Sequence, residues 1–299
     1  MLTGQTIVFL GGDARQLEVI GKCTELDANV KLSGFDQLKT LPQGVSSERL
    51  TAELLSEADA LILPVLSCND GGVVSSSFSE EKLVLKEELI AALPKHALIY
   101  TGVAKPYLLK LCEKYGIKVI QVLDRDEVAI YNSIPTAEGA LMIAIQNTDI
   151  TIHGSVCAVL GMGRTGFTMA RTLQGIGAKV RMGVRRKEQY ARAEEMGWNP
   201  FLTQDLADEA SGFDLIFNTI PNMIITAQVL SKLSPKAVII DLASAPGGTD
   251  FRFAEKRGIK AILAPGLPGI VAPRTAGIIM ANCICQSMEE EFMTRGDER

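Results

Sequence analysis

The three glycines in the run Leu160-Gly161-Met162-Gly163-Arg164-Thr165-Gly166 have the type and spacing that say most about chemistry in this chain. Gly-x-Gly-x-x-Gly suits a pyrophosphate. The first glycine makes a tight turn, the second lets the backbone approach the anion, and the third lets a helix pack on a strand. Backbone N–H groups at the helix start then attract the negative charge. A tight structural turn would also satisfy the spacing, but the flanks favour the ligand. Val156 to Leu160 read as a short apolar strand, and Met169, Ala170, Leu173 and Ile176 mark one face of a helix from Phe167.

The residues beyond that turn sharpen the ligand. An NAD site carries an acid roughly 20 residues past the glycines, where it bonds the ribose diol. Here the strand from Lys179 to Val184 ends instead in Arg185-Arg186-Lys187. Cations suit a 2′-phosphate, so NADP(H) is the expected cofactor. The alternative is a solvated charge run, although three cations at a helix start oppose its dipole. Further contacts are expected from loops that leave the C-terminal ends of strands in the same sheet: Thr219, Ile220 and Pro221; Leu242, Ala243 and Ser244; Gly266 and Pro268.

A second set of candidates lies nearer the N-terminus. Arg15 follows Gly11-Gly12-Asp13 at the first turn of a helix, either as a solvated arginine or as a clamp for a substrate carboxylate. Asn132, Ser133, Thr136 and Glu138 surround Pro135, which is expected near the first position of a long apolar helix ending about Asn147. They would project into a cleft; ordinary capping accounts for Ser133 and Thr136 equally well.

The elements that must position these groups alternate strand and helix from Ile7 to Ala264. That pattern predicts an α/β fold of two Rossmann-like, doubly wound domains with a cleft between them. The expected boundaries are 1–134 for the first domain, 135–150 for a linking helix and 151–274 for the cofactor domain. A final helix over 275–293 would pack back on the first domain. A helix from the Ser79 cap to about Leu93 is also expected.

Composition excludes several classes. With 299 residues, 47% hydrophobic and 22% charged, the chain is long enough for two cores. A formal charge of −5 leaves no basic footprint for nucleic acid. No apolar run reaches the roughly 18 residues of a membrane span, and no signal-peptide pattern opens the chain, so a cytoplasmic protein is expected. Six scattered cysteines without a Cys-x-x-Cys read as buried thiols, and no metal-ligand spacing occurs. His96 and His153 precede strands and read as structural or exposed.

Several segments together resemble the family of dipicolinate synthase A subunits, over nearly the whole chain. They are Gly11-Gly12-Asp13-Ala14-Arg15-Gln16, Ile130 to Thr136, Leu160 to Gly166, Asp241-Leu242-Ala243-Ser244 with Pro246 to Phe251, and Ala264 to Pro273. The resemblance implies NADP-dependent oxidation of dihydrodipicolinate to dipicolinate in the mother cell of a sporulating bacterium. It implies the flavoprotein-like B subunit of dipicolinate synthase as partner, with a homo-oligomer also expected. It also implies an architecture like that of 2-hydroxyacid and alanine dehydrogenases. For the dicarboxylate, Arg15 and Arg274 become the candidate clamps, Asn132, Ser133 and Thr136 the polar contacts, and Glu138 a base. A 2-hydroxyacid dehydrogenase would place an Arg after the strand ending at Leu242 and a His after the one ending at Ala264. This chain has Ala243-Ser244-Ala245 and Gly266-Leu267-Pro268 there. Two other readings stand beside this one: another NADP-dependent amino- or hydroxy-acid dehydrogenase, and a non-catalytic NADP(H)-sensing regulatory component.

Overall fold

The computed structural model describes residues 1–297. They form two compact units: Met1–Val128 together with the segment from Pro273 onward, and Ala129–Ala272.

In the first unit, β1 (Thr6–Leu10), α1 (Ala14–Glu25), β2 (Asn29–Ser33), β3 (Val45–Ser47), α2 (Ala52–Ser56) and β4 (Ala60–Ile62) follow in turn. A two-stranded hairpin of β5 (Val73–Val74) and β6 (Leu83–Val84) precedes α3 (Glu87–Ala92), β7 (Leu98–Thr101), α4 (Pro106–Tyr115) and β8 (Lys118–Gln121). Six of these strands make one parallel sheet in the order β3-β2-β1-β4-β7-β8. The strands read as apolar runs because helices cover both faces. Phe9, Ile62 and Tyr100 are buried on one side, and Val8, Leu61 and Ile99 on the other.

The helix α5 (Asp126–Asn147) leads into the second unit. There β9 (Val156–Leu160), α6 (Arg164–Gly175), β10 (Lys179–Val184), α7 (Lys187–Glu195), β11 (Asn199–Leu202), α8 (Leu206–Glu209) and β12 (Leu215–Asn218) come first. After them run α9 (Ala227–Lys232), β13 (Val238–Asp241), α10 (Phe251–Lys256), β14 (Lys260–Leu263) and α11 (Leu267–Val271). The sheet order is β11-β10-β9-β12-β13-β14, again parallel. Counted along the chain, both sheets run 3-2-1-4-5-6, the Rossmann order. The last helix, α12 (Pro273–Asp297), returns to the first unit and lies against α1, with Met280, Ile284 and Met288 in the core of that unit.

Four local features differ from what the sequence alone suggests. First, α5 begins at Asp126, nine residues before Pro135. Asp126 and Glu127 supply an acidic first turn. Pro135 therefore sits inside the helix and removes the bond that the Tyr131 carbonyl would receive. In that turn the Ser133 hydroxyl donates to the Ile130 carbonyl at 2.6 Å, and the Thr136 hydroxyl to the Asn132 carbonyl at 2.7 Å. Second, Ser79 caps no helix. Its hydroxyl accepts from the Glu81 N–H at 3.1 Å in a local turn, and the following residues pair as β6. Third, the edge strands β3 and β11 carry too weak a pattern to be read from sequence. Val45-Ser46-Ser47 holds one apolar residue, and β11 contains Pro200, which an edge strand tolerates. Fourth, α5 is long and apolar enough to cross a membrane by length and composition alone, with a mean hydropathy of 1.3. Its Ala137, Ala140 and Ala144 are packed into the core of the second unit, where small residues let it approach the neighbouring elements.

Candidate functional site: a glycine turn and its cavity

The strand β9 delivers Gly161 to the C-terminal edge of the second sheet. Gly161 turns the chain at φ +95, a conformation that strains any residue with a Cβ. Gly163 is the N-cap of α6 in extended conformation, and no side chain caps the helix. An N-cap that brings no side chain of its own to the first turn of α6 suits an anion at that end. Gly166 is buried one turn on, and a Cβ there would overlap the Gly161 carbonyl oxygen. The third glycine therefore lets α6 sit hard against the turn.

A cavity of about 370 Å³ opens at this point. Its floor is Gly161, Met162, Gly163 and the end of β10, Gly183 and Val184. Arg185 and Gln189 form one wall, and Thr219, Ile220, Pro221 and Asn222 the other. The Thr219 hydroxyl donates to the Leu160 carbonyl at 2.8 Å, so the far wall is tied to the turn itself. The glycine cradle, the uncapped helix start and the arginine beside the cavity fit a dinucleotide.

The structure brings together Gly161, Met162, Gly163, Arg185, Thr219, Ile220 and Pro221 from among the expected cofactor residues. Arg164, Thr165 and Gly166 form the first turn of α6 behind them. Arg186 takes a separate course. It pairs with Glu188 at 3.0 Å and faces a neighbouring groove with Phe167, Arg192 and Met196. Leu242, Ala243 and Ser244 follow β13, with Ser244 exposed and the Ala243 N–H bound to the Asp241 carboxylate. Gly266 caps α11 in the left-handed conformation, and Pro268 lies in its first turn. None of these last five lines the 370 Å³ cavity. Gln189 and Asn222 do line it, although no sequence motif marks them. Each is one polar residue among several, and only the fold identifies the right one.

The expected substrate residues occupy varied settings. Arg15, in the first unit, holds both oxygens of Asp13, at 2.9 Å through Nε and 2.5 Å through Nη2. Arg274 is exposed and pairs with Glu18 at 3.5 Å. Ser133 is fully buried, and its hydroxyl lies 2.6 Å from that of Thr168, linking α5 to α6. Thr136 is half-buried, and Glu138 lies exposed on the same helix. The Asn132 side-chain oxygen is buried without a partner, the one group in this set with an unmet bond. His96 is exposed beside Asp59 at 3.0 Å, and all six cysteines are free and buried. Burial pushes the Cys157 thiol up to about 11 and Cys112 up to about 12, so neither is a nucleophile at neutral pH. Among the described residues no group of His, Cys, Asp and Glu is arranged to hold a metal ion.

Comparison with known proteins places this geometry. A curated relative, the A subunit of dipicolinate synthase from Bacillus subtilis, is 50% identical over 290 residues, covering 97% of this chain and 98% of its own. The chain belongs to the family of dipicolinate synthase A subunits. Residues 6–123 match the model of that family's N-terminal domain. Residues 138–246 match the NAD-binding domain of D-isomer specific 2-hydroxyacid dehydrogenases, the part that carries the glycine turn and its cavity. Family members of known structure superpose closely. The Bacillus subtilis protein has a TM-score of 0.95 at 49% identity, covering 98% of this chain and 99% of that one. The Bacillus halodurans protein has 0.94 at 49%, covering 96% and 98%. A transhydrogenase from Sinorhizobium meliloti, at 15% identity with a TM-score of 0.69 and covering 96% of this chain and 94% of its own, shares the fold. The chain is thus an oxidoreductase-like component with a nicotinamide-binding domain, and the family's designation as one subunit of a synthase implies a partner.

Proposed function

We propose that this chain oxidises dihydrodipicolinate to dipicolinate with NADP⁺, as one component of a two-component synthase whose other component is the B subunit. The setting would be the cytoplasm of the mother cell during sporulation. The observation that carries this reading is 50% identity sustained over 97% of the chain, which spans the cofactor turn and all the loops around it. The ring gives up a hydride and a proton, and aromatisation supplies much of the driving force. When bound, the nicotinamide supplies the hydride acceptor.

The chain's own residues would bind, orient and exclude water. Gly161, Gly163 and the first N–H groups of α6 hold the pyrophosphate. Arg185, beside the end of β10, supports NADP over NAD because a guanidinium pairs with a phosphate and offers the diol no acceptor. Arg186 would have to leave Glu188 to join it. For the dicarboxylate, Arg15 is partly engaged already, since Asp13 occupies its donors. Asn132 would meet a carboxylate through its amide N–H groups, since both the carboxylate and its own buried oxygen only accept. Mixing the protein with NADP⁺ and freshly made dihydrodipicolinate, with and without the B subunit, tests the proposal through NADPH absorbance and chromatography of dipicolinate. Formation of neither, in the presence of the partner, would overturn it.

A further inference from the structure

Asp241, at the end of β13, is fully buried and has no surface in the cavity. A carboxylate so enclosed is costly unless every oxygen is hydrogen-bonded. Here each oxygen receives two donors. Oδ1 accepts from the Asn218 amide at 3.0 Å and the Ala243 N–H at 3.1 Å. Oδ2 accepts from the Gly248 N–H at 2.8 Å and the Thr249 hydroxyl at 2.6 Å. The donors come from the end of β12 and from both ends of the loop after β13.

The same contacts run on into the cavity wall. Asn218 donates to the Ile220 carbonyl at 3.0 Å, and its side-chain oxygen accepts from the Ile220 N–H at 3.0 Å. Gly248 accepts from the N–H groups of Ile224 and Ile225, each at 2.9 Å, and Ile225 in turn accepts from Asp250 at 3.0 Å. A Cβ on Gly248 would overlap the carbonyl oxygens of Ile220 and Asn222. The segment that walls the cavity is thus moulded on the loop that Asp241 holds.

We propose that Asp241, through Asn218, Gly248 and Thr249, is a positioning residue that sets the Ile220–Asn222 wall against the bound dinucleotide. The inference rests on nicotinamide-dinucleotide binding in this cavity and not on the identity of the substrate. Buried charged hydrogen bonds are strong, so one lost donor should loosen the wall without unfolding the sheet.

Titration of the full-length chain with NADPH, read by nicotinamide fluorescence and paired with a thermal melt, tests it. Asp241→Asn turns an N–H towards a donor and should raise the Kd by about tenfold; Thr249→Val should raise it about threefold, and Thr249→Ser should restore it to within about twofold. Phe213→Leu, a core change just before β12, at the opposite end of that strand from Asn218, should lower the Tm and leave the Kd unchanged. An unaltered Kd in folded Thr249→Val, with only the Tm reduced, would overturn the proposal. That variant retains three of the four donors, so the test survives if Asp241→Asn does not fold. Failure of the unsubstituted chain to bind either NADPH or NADH would instead overturn the cofactor reading, and this inference with it.

Discussion

Each unit begins its sheet with the same device, and the two devices are finished differently. β1 and β9 are both five-residue strands ending in leucine and then glycine, and both lead into twelve-residue helices. With Leu10 set on Leu160, Gly11 matches Gly161, Asp13 matches Gly163, and Gln16 matches Gly166. In the second unit the N-cap has no side chain, and a cavity opens beside it. In the first, the Asp13 carboxylate caps α1 by accepting from the Arg15 N–H, and the Arg15 guanidinium closes over it. Gln16 lies fully buried beneath Gly12 and donates to the Leu63 carbonyl at 3.1 Å. One turn answers its helix dipole from within and the other leaves it for an anion. The topology is common to both; three side chains close the first turn, and under the proposed function their absence opens the second to a dinucleotide.

That difference is open to exchange. Gly166→Gln gives the second unit the residue of the first, and its Cβ would overlap the Gly161 carbonyl. Dinucleotide binding should be lost, with stability lowered by about 1–3 kcal/mol as for an overpacked core. Calorimetric titration beside a urea melt separates the two effects. Gly163→Asp is the subtler exchange. The helix gains a good cap, so the fold should hold or gain slightly. A carboxylate would then stand where the pyrophosphate belongs, at a cost of about 4 kcal/mol for two unit charges some 4 Å apart near a protein surface. Binding that survived Gly163→Asp would show that the helix start is not the anion site.

Much of this contrast is legible in the sequence. The glycine spacing, the strand and helix that flank it, and the paired sheets follow from local pattern, because each is fixed by neighbouring residues. What the pattern misses is decided at a distance. Asp241 is, in sequence, one polar residue at a strand end; its four donors come from segments that meet only in the folded sheet. A helix starting at Pro135 would aim Ser133 into a cleft, yet one that starts at Asp126 turns it inward to Thr168. Arg185 and Arg186 are adjacent in sequence and carry the same charge. Only the backbone at the end of β10 sends one to the cavity and the other to Glu188.

That separation makes the next prediction directional. Arg185→Ala should raise the KM for NADP⁺ about 10- to 100-fold, the loss of one charge-assisted bond of about 1.5–3 kcal/mol. It should change the KM for NAD⁺ little. Arg186→Ala should have the smaller effect on both, and Arg185→Ala with Arg186→Glu the largest on NADP⁺ alone. Equal changes for the two dinucleotides would mark the cluster as a solvated charge run.

The smallest expected effect lies in the first unit, in the cap that keeps its turn closed. Burial alone would raise the Asp13 carboxyl, but hydrogen bonds from Arg15 and the charge of its guanidinium outweigh it and hold Asp13 below the ordinary range. A group whose folded pKa is depressed stabilises the protein above its unfolded pKa and loses that contribution as the pH falls through the folded one. Asp13→Asn keeps a cap oxygen and removes only the charge. Its deficit relative to the parent should therefore be small at pH 7, about 0.5–1 kcal/mol for a pair that solvent partly screens. The deficit should shrink once the pH drops below about 4, the unfolded value for an aspartate, because the parent then takes up a proton that the neutral amide of the variant has no need of. Urea melts of both proteins across that range measure it. A deficit that stayed constant down to pH 3 would mean that Asp13 works by geometry alone, and that its charge is not what closes the turn to an anion.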